Sequence, residues 1–276
     1  MEGRAEKNGR VYLIGAGPGD PKLLTIKAAE ALASSDVIVY DYLVNPEILA
    51  HARHGAELIY AGKRAGEHPI PQSEINRIII ERASSGQIVA RLKGGDPFIF
   101  GRGGEEAESL VEAGIKWEVI PGISSGVAAA AYAGIPLTHR NYASSVAFIT
   151  GHDSRAFRPG VDWSVAAHAA DTLVIFMCAE TIGRIAHSLI ASGRAPSTPI
   201  AIIRWGTYDY QEIYSGTLEE IAETDDEPGR TPIAPPNLAI VGGVVSLREK
   251  LRWFGNPALE HSLGALTSRE MATAEV

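Results

Sequence analysis

Residues 94–106 read Gly-Gly-Asp-Pro-Phe-Ile-Phe-Gly-Arg-Gly-Gly-Glu-Glu, and few folds can use such a stretch. Five glycines (Gly94, Gly95, Gly101, Gly103, Gly104) fall within eleven residues. Glycine costs backbone entropy, so this density is expected only where φ is positive or where the backbone must approach something closely. The apolar run Ile88-Val89-Ala90-Arg91-Leu92 before it reads as a strand. Ala107 to Ala113 after it reads as a helix closed by Gly114. Open α/β sheets hold their ligands in loops of this kind, at the carboxyl ends of strands. Between the glycines stand one carboxylate, Asp96, and one guanidinium, Arg102. The loop offers bare backbone to one ligand and a charged fork to an anionic one.

A second glycine turn lies near the start of the chain. Val11-Tyr12-Leu13-Ile14 reads as a strand and ends in Gly15-Ala16-Gly17-Pro18-Gly19-Asp20-Pro21. Asp20 is a good N-cap, Pro21 suits the first helical position, and Leu24, Ala28, Ala31 and Leu32 then recur at helical spacing. A dinucleotide fingerprint would place its third glycine at position 20, where this chain has Asp20. A carboxylate there would repel a pyrophosphate. A nicotinamide-dependent oxidoreductase is therefore disfavoured, and a ligand without phosphates is favoured.

The remaining pattern fits this organisation. Strands are expected at 36–40, 57–61, 87–92 and 117–120, with a helix capped by Gln72-Ser73 between the second and third of these. Such alternation gives a parallel sheet with both faces covered. Asp41, Lys63, Asp96 and Gly122 then all lie at strand carboxyl ends. A small-residue helix is expected over 124–133. A second alternation follows, with strands at 145–150, 172–177, 199–204 and 238–241 and helices at 181–192 and 246–254. Thr217 to Glu220 reads as a capping box. The expected organisation is an α/β domain over 11–122, a linker region over 123–140, a second α/β domain over 141–255 and a loose tail over 256–276.

Composition narrows the function. The formal charge of −8 argues against general nucleic-acid binding. No apolar run approaches the length of a membrane span, and Met1 to Arg10 lack a signal peptide's apolar core. The single cysteine, Cys178, excludes an internal disulfide. Together these predict a soluble cytoplasmic protein. His51 and His54 share a helical spacing without further ligands, so no metal site is expected.

The motifs GGDPFIFGRGGEE and GAGPGDP, in this order and spacing, closely resemble those of the uroporphyrinogen-III C-methyltransferases. The resemblance runs from about Val11 to Phe254. It implies the two-domain α/β tetrapyrrole methylase fold with the active site in the cleft between the domains. It also implies S-adenosylmethionine (SAM) as methyl donor, S-adenosylhomocysteine as by-product, and a homodimer. The implied reaction adds two methyl groups to uroporphyrinogen III, giving precorrin-2 by way of precorrin-1 for sirohaem or cobalamin. A sister methyltransferase acting on a later corrin precursor is disfavoured by GRGGEE after GGDPFIF. A silent SAM-binding protein need not keep Arg102 and Arg140, and both are present. The chain is too short to add the dehydrogenase–chelatase module of some sirohaem synthases.

Residue roles follow from the same resemblance. For SAM it implies Pro18, Gly94, Gly95, Asp96 and Ile99, then Ser124 and Ser125, Met177, Gly206 and Asn237. Ser124-Ser125 replaces the Thr-Ala pair often seen in the family, which leaves the second position a backbone contact. For the substrate it implies Arg102, Arg140 and Met177. Arginine grips carboxylates in a two-pronged fork that lysine cannot copy. Arg102 and Glu105 are placed at the reacting centre, with Asp41 and Lys63 as proton acceptor and donor. Lys63, Arg64, Arg91 and Lys93 lie near strand ends and could extend a basic patch.

Overall fold

The computed structural model describes residues 9–62, 70–152, 160–225 and 233–264. The chain divides into two compact units, Met1–Ser125 and Gly126–Val276.

The first unit is a five-stranded sheet: β1 (Arg10–Gly15), β2 (Val37–Tyr40), β3 (Glu57–Tyr60), β4 (Ile88–Lys93) and β5 (Lys116–Ile120). The order is β3-β2-β4-β1-β5, and every pairing is parallel. Its helices are α1 (Ile26–Ser34), α2 (Gln72–Ser84) and α3 (Gly103–Glu112). Side chains alternate across each strand, so the sheet has two apolar faces. Val11, Leu13, Val39 and Val89 pack with Ile79 of α2 and Leu110 of α3. Ile14, Ile38, Ala90 and Leu92 pack with Ala28 and Leu32 of α1.

Two helix starts differ from expectation. Asp20 caps a single 3-10 turn, Pro21–Leu23, by accepting from the Lys22 amide. Helix α1 starts later, with the Thr25 hydroxyl accepting from the Ala28 amide. Gln72 does not cap α2. The N-cap is Pro71, which has no side-chain acceptor to offer.

The second unit is a six-stranded mixed sheet: β6 (Val146–Thr150), β7 (Thr172–Phe176), β8 (Pro199–Arg204), β9 (Glu212–Thr217), β10 (Asn237–Val241) and β11 (Glu260–Ser262). Its order is β11-β9-β8-β10-β7-β6. β10 runs antiparallel to both β7 and β8, and β8 to β9. The helices are α4 (Ser125–Tyr132), α5 (Trp163–Ala166), α6 (Ile182–Ala191), α7 (Leu218–Ala222) and α8 (Arg248–Leu251). α6 and α7 cover one face, through Ile185, Leu189, Leu218 and Ile221. Ala129, Ala130 and Ala133 cover the other. The capping box forms: Thr217 Oγ1 accepts from the Glu220 amide, and the Glu220 carboxylate accepts from the Thr217 amide.

Small residues let α4 lie close to the sheet. A Cβ on Gly126 would stand 2.5 Å from the Phe176 ring, and one on Gly206 would stand 2.4 Å from Ala129 Cβ. The helix expected over 246–254 is a 3-10 turn, Gly243–Leu247, followed by the short α8. Residues 257–264 correct the expectation of a loose tail. They form a 3-10 turn and β11, which adds in parallel to β9, and Leu263 is fully buried. Residues 265–276 lie outside the described residues. No helix among the described residues is long and apolar enough to cross a membrane.

Because Leu263 belongs to the α6–α7 core, Leu263→Ala should cost about 2–5 kcal/mol, the usual range for emptying such a site. Urea unfolding followed by circular dichroism checks this. A change within experimental error would mean that this segment does not hold to the sheet in solution.

Candidate functional site

In the first unit, the glycine turns bring three strand ends together. The Ala16 amide donates to Lys93 O at 2.7 Å, and Gly17 and Gly95 exchange amide–carbonyl bonds at 2.7 and 3.2 Å. A Cβ on Gly15 would stand 2.4 Å from Gly122 N, and one on Gly122 would stand 2.3 Å from Gly95 O. The ends of β1, β4 and β5 therefore meet backbone to backbone. Gly95 belongs to this junction, with Pro18 next to Gly17 in the chain and Gly94 next to Gly95. Gly95 has φ +69°, and Ser124 and Ser125 lie beside it, with Ser125 N 3.7 Å from where its Cβ would be.

Asp96 organises the same loop. Its Oδ1 accepts from the Phe98 amide at 2.8 Å and its Oδ2 from the Gly122 amide at 3.0 Å. One carboxylate thus shapes the turn and ties it to the end of β5. Beyond it, Phe98, Ile99 and Phe100 are exposed. Phe100 and Arg102 adopt left-handed backbone at φ 52° and 58°, a conformation that costs on the order of 1–3 kcal/mol in non-glycine residues. The second of these lifts Arg102 to the N-cap of α3. Helix α3 starts at Gly103, four residues before the expected start, with Glu105 and Glu106 in its first turn, where the helix dipole favours carboxylates.

Arg102 holds Glu105 in a fork, Nε to Oε1 at 2.8 Å and Nη2 to Oε2 at 2.6 Å, with both side chains more than half exposed. This bonding raises the Arg102 pKa and lowers that of Glu105. Arg102 and Glu105 are thus neighbours.

Asp41 follows β2 and is partly exposed. Arg91 Nη2 donates to its Oδ1 at 2.6 Å. This overturns the reading of Arg91 and Lys93 as part of an open basic patch, because both are almost completely buried, at 1 % and 3 % exposure. Glu106, fully buried, accepts through Oε1 from Arg91 Nε at 3.0 Å, Lys93 Nζ at 2.9 Å and Gln72 Nε2 at 3.0 Å. Burial, then the neighbouring Arg91 charge, pushes the Lys93 ammonium below its ordinary pKa. Glu106 was missed from the sequence. The signal was there: in an all-parallel sheet, Arg91 and Lys93 share the Val89 face under α2 and α3, so they need a buried carboxylate. Lys63 and Arg64 lie outside the described residues.

In the second unit, the strand ends again converge. Met177 follows β7, Gly206 follows β8, and Asn237 opens β10, which lies between those two strands. Met177 is half exposed. Asn237 is fixed by its Nδ2 donating to Ile233 O at 3.1 Å. Met177 (φ 53°), Trp205 (φ 49°) and Thr207 (φ 75°) take left-handed backbone at this rim. With Phe100 and Arg102, all five such non-glycine residues among those described lie in the connections that follow strands β4, β7 and β8. Strain of this kind concentrates where function constrains a loop.

Arg140 is not at that rim. It lies in the His139–Ala143 turn, whose Tyr142 packs on the Gly243 position just past the carboxyl end of β10. Met177 and Asn237 flank the amino end of the same strand, so Arg140 sits at the opposite end of this sheet. It is exposed and has no side-chain partner among the described residues.

The tetrapyrrole (corrin/porphyrin) methylase model matches residues 10–222. The chain belongs to this family. A uroporphyrinogen-III C-methyltransferase of Bacillus subtilis is 51% identical over 246 residues, covering 89% of this chain and 95% of that protein. Siroheme synthase 2 of Aeromonas hydrophila is 49% identical over 90% of this chain, which spans only 51% of that relative. Among solved structures, the uroporphyrin-III C-methyltransferase of Thermus thermophilus in complex with S-adenyl homocysteine is 39% identical. Its TM-score is 0.74, over 87% of this chain and 100% of that one. The fold of the tetrapyrrole methylases accordingly accounts for both sheets described above.

The glycine junction makes a direct prediction for this methylase. Gly122→Ala places a Cβ against backbone on two sides, where neither neighbour is a flexible side chain. It should lower unfolding stability by roughly 1–3 kcal/mol, the usual cost of overpacking. Unchanged stability in urea would show that the strand ends are further apart than described.

Proposed function

We propose that this chain is a SAM-dependent uroporphyrinogen-III C-methyltransferase. It adds two methyl groups to uroporphyrinogen III and gives precorrin-2, by way of precorrin-1, for sirohaem or cobalamin synthesis. The observation that carries this reading is the 51% identity to the Bacillus subtilis enzyme of that name across nearly the whole of both chains.

The residues present fit the donor. SAM carries no phosphate, and Asp20 stands where a phosphate-binding turn would need glycine. The junction of Gly15, Gly95 and Gly122 leaves backbone unshielded by side chains. In this reading Pro18, Gly94, Gly95, Asp96, Ile99, Ser124, Ser125, Met177, Gly206 and Asn237 are assigned to the donor. When bound, SAM supplies a methyl group made electrophilic by its sulfonium.

Methylation of an electron-rich pyrrole carbon asks little covalent chemistry of the protein. It must align the reacting atoms, exclude water, fix the substrate's acid chains and take up the proton that the ring later loses. Asp41, partly exposed and held by Arg91, is the proposed acceptor, and Lys63 the proposed donor. Arg102, raised on strained backbone among glycines, is assigned to the substrate together with Glu105. Arg140 is kept as a candidate for the acid chains on its exposure and chemistry alone, since its place at the far end of the second sheet from Met177 and Asn237 does not support it. Met177 is assigned to the macrocycle as well as the donor. By resemblance the enzyme acts as a homodimer. Its single cysteine suits the reducing cytoplasm, where we place it.

An anaerobic assay with uroporphyrinogen III and methyl-labelled SAM, read by mass spectrometry, should give a product heavier by two methyl groups. No labelled product, with S-adenosylhomocysteine still bound, would move the activity to another acceptor. In the same assay Arg102→Ala should lower turnover on the order of a hundredfold, as loss of a charge-stabilising donor does. Calorimetric affinity for S-adenosylhomocysteine should stay within about twofold, because the Arg102 side chain is engaged with Glu105 and none of the glycine-junction contacts involves it. Undiminished turnover would remove Arg102 from the reacting centre.

A further inference from the structure

Four charged groups sit together beneath the loop of the first unit: Arg91 and Lys93 of β4, Glu106 of α3 and Asp41 after β2. Three of them are at least nine-tenths buried, and only Asp41 reaches the surface. The connections run through Arg91. Its Nη2 donates to Asp41 Oδ1 at 2.6 Å and its Nε to Glu106 Oε1 at 3.0 Å, while Nη1 faces Val39 O and Leu92 O at 3.4 and 3.3 Å. Lys93 Nζ bridges the same two carboxylates, 2.9 Å from Glu106 Oε1 and 3.7 Å from Asp41 Oδ2. Glu106 stands one residue after Glu105 and four after Arg102, in the first turn of the helix that both of those residues introduce.

Stability alone does not call for charges at these positions. Desolvating charges is costly, and well-packed apolar residues in place of a buried ionic group are often neutral or stabilising. Glu106 is also left with one oxygen, Oε2, that meets no hydrogen-bond donor among the described residues. A fully buried carboxylate with an unused oxygen is not explained by packing alone. What the cluster does is join two exposed groups that the core would otherwise leave independent. A single guanidinium fixes the Asp41 carboxylate on one side and the start of α3 on the other.

We propose that Glu106 and Arg91 are positioning residues for methyl transfer: they lock the Asp41 carboxylate at a fixed place relative to the α3 turn that carries Arg102 and Glu105. The proposal rests on the assignment of Asp41 to proton transfer. Glu106 is fully buried and acts through Arg91, with Lys93 as a longer second bridge to Asp41.

A double-mutant cycle tests it, with turnover of uroporphyrinogen III read in single-turnover reactions sensitive enough for slow variants. Glu106→Gln keeps the shape and removes the charge. It should lower the methylation rate roughly tenfold or more, while the affinity for S-adenosylhomocysteine and the KM for uroporphyrinogen III stay within about twofold. In an Asp41→Asn background, the same Glu106→Gln change should cost less than about twofold, because its route to the reaction is already broken. If Glu106 is merely structural, the rate losses multiply in both backgrounds, and the proposal fails. It fails alone if Asp41→Asn abolishes turnover while Glu106→Gln matches the wild type. If Asp41→Asn itself turns over at the wild-type rate, the assignment of Asp41 falls and the positioning role falls with it. Should Glu106→Gln not fold, the charge-balanced pair Glu106→Gln with Lys93→Met goes through the same cycle and is judged by the same outcomes.

Discussion

The first unit depends on three strand ends that meet with nothing but backbone between them. Gly15, Gly95 and Gly122 stand so close that a methyl group on Gly15 or Gly122 would overlap a neighbour's main chain. Parallel strands normally fan apart at their ends, because each must turn into its crossover connection. Here β1, β4 and β5 are held together past their last ladder bonds by the Gly17–Gly95 exchange and by the Asp96 carboxylate on the Gly122 amide. That closure makes a floor of peptide groups instead of a cleft of side chains. Peptide groups are rigid, offer donors and acceptors, and need no side-chain entropy to be lost when a ligand arrives. The strain at Phe100 and Arg102 follows from the same closure, since the chain must leave this floor and enter α3 within a few residues.

The buried ionic cluster answers a second need. Loops at strand ends are mobile unless something over-determines them. Apolar packing can hold a helix against a sheet, but it is tolerant of small slips. Hydrogen-bonded charges are not, because a misplacement leaves a buried charge without its partner, and losing one member of such a set typically costs about 3–5 kcal/mol. Arg91 and Lys93 occupy the positions on β4 that Val89 begins, so the face that is apolar at its amino end becomes ionic toward the site. Stability is traded for a fixed geometry along a single strand.

How much of this could be read beforehand follows from which forces are local. The strands of the first unit were legible because each is an apolar run ended by glycine or a turn residue, and the parallel order follows from their alternation with helices. The Thr217 box was legible because both of its hydrogen bonds lie within four residues. β9 and β11 were not foreseen. Glu212 to Thr217 mixes polar and apolar side chains, and β11 has only three residues, so each is defined by its partner strand and not by its own pattern. The start of α1 was misplaced because Asp20-Pro21 carries a full set of N-terminal signals and spends them on a single 3-10 turn. Arg91 was misread because residue type alone says exposed. Only its position on a strand covered on both faces says otherwise. The close approach of strand ends at Gly15, Gly95 and Gly122 was legible because glycine, unlike arginine, announces the backbone it needs.

The proposed function raises the question of how an acidic protein, of formal charge −8, would receive a polycarboxylate. The pairing of Arg102 with Glu105 supplies a physical answer. Both side chains are more than half exposed, and ion pairs of that kind contribute only about 0–1 kcal/mol. In the proposed function, a substrate carboxylate at Arg102 would therefore give up little in displacing Glu105, and two-pronged bonding would be available to it as well. Until then the pair presents no net charge, which keeps Arg102 from collecting unrelated anions on a fixed, strained backbone. The displaced Glu105 stays at the helix start, where the dipole supports its charge. Glu106, one residue further on, has no such freedom, being committed to Arg91, Lys93 and Gln72. Adjacent carboxylates in one helical turn are thus divided by burial into an exchangeable partner and a fixed one.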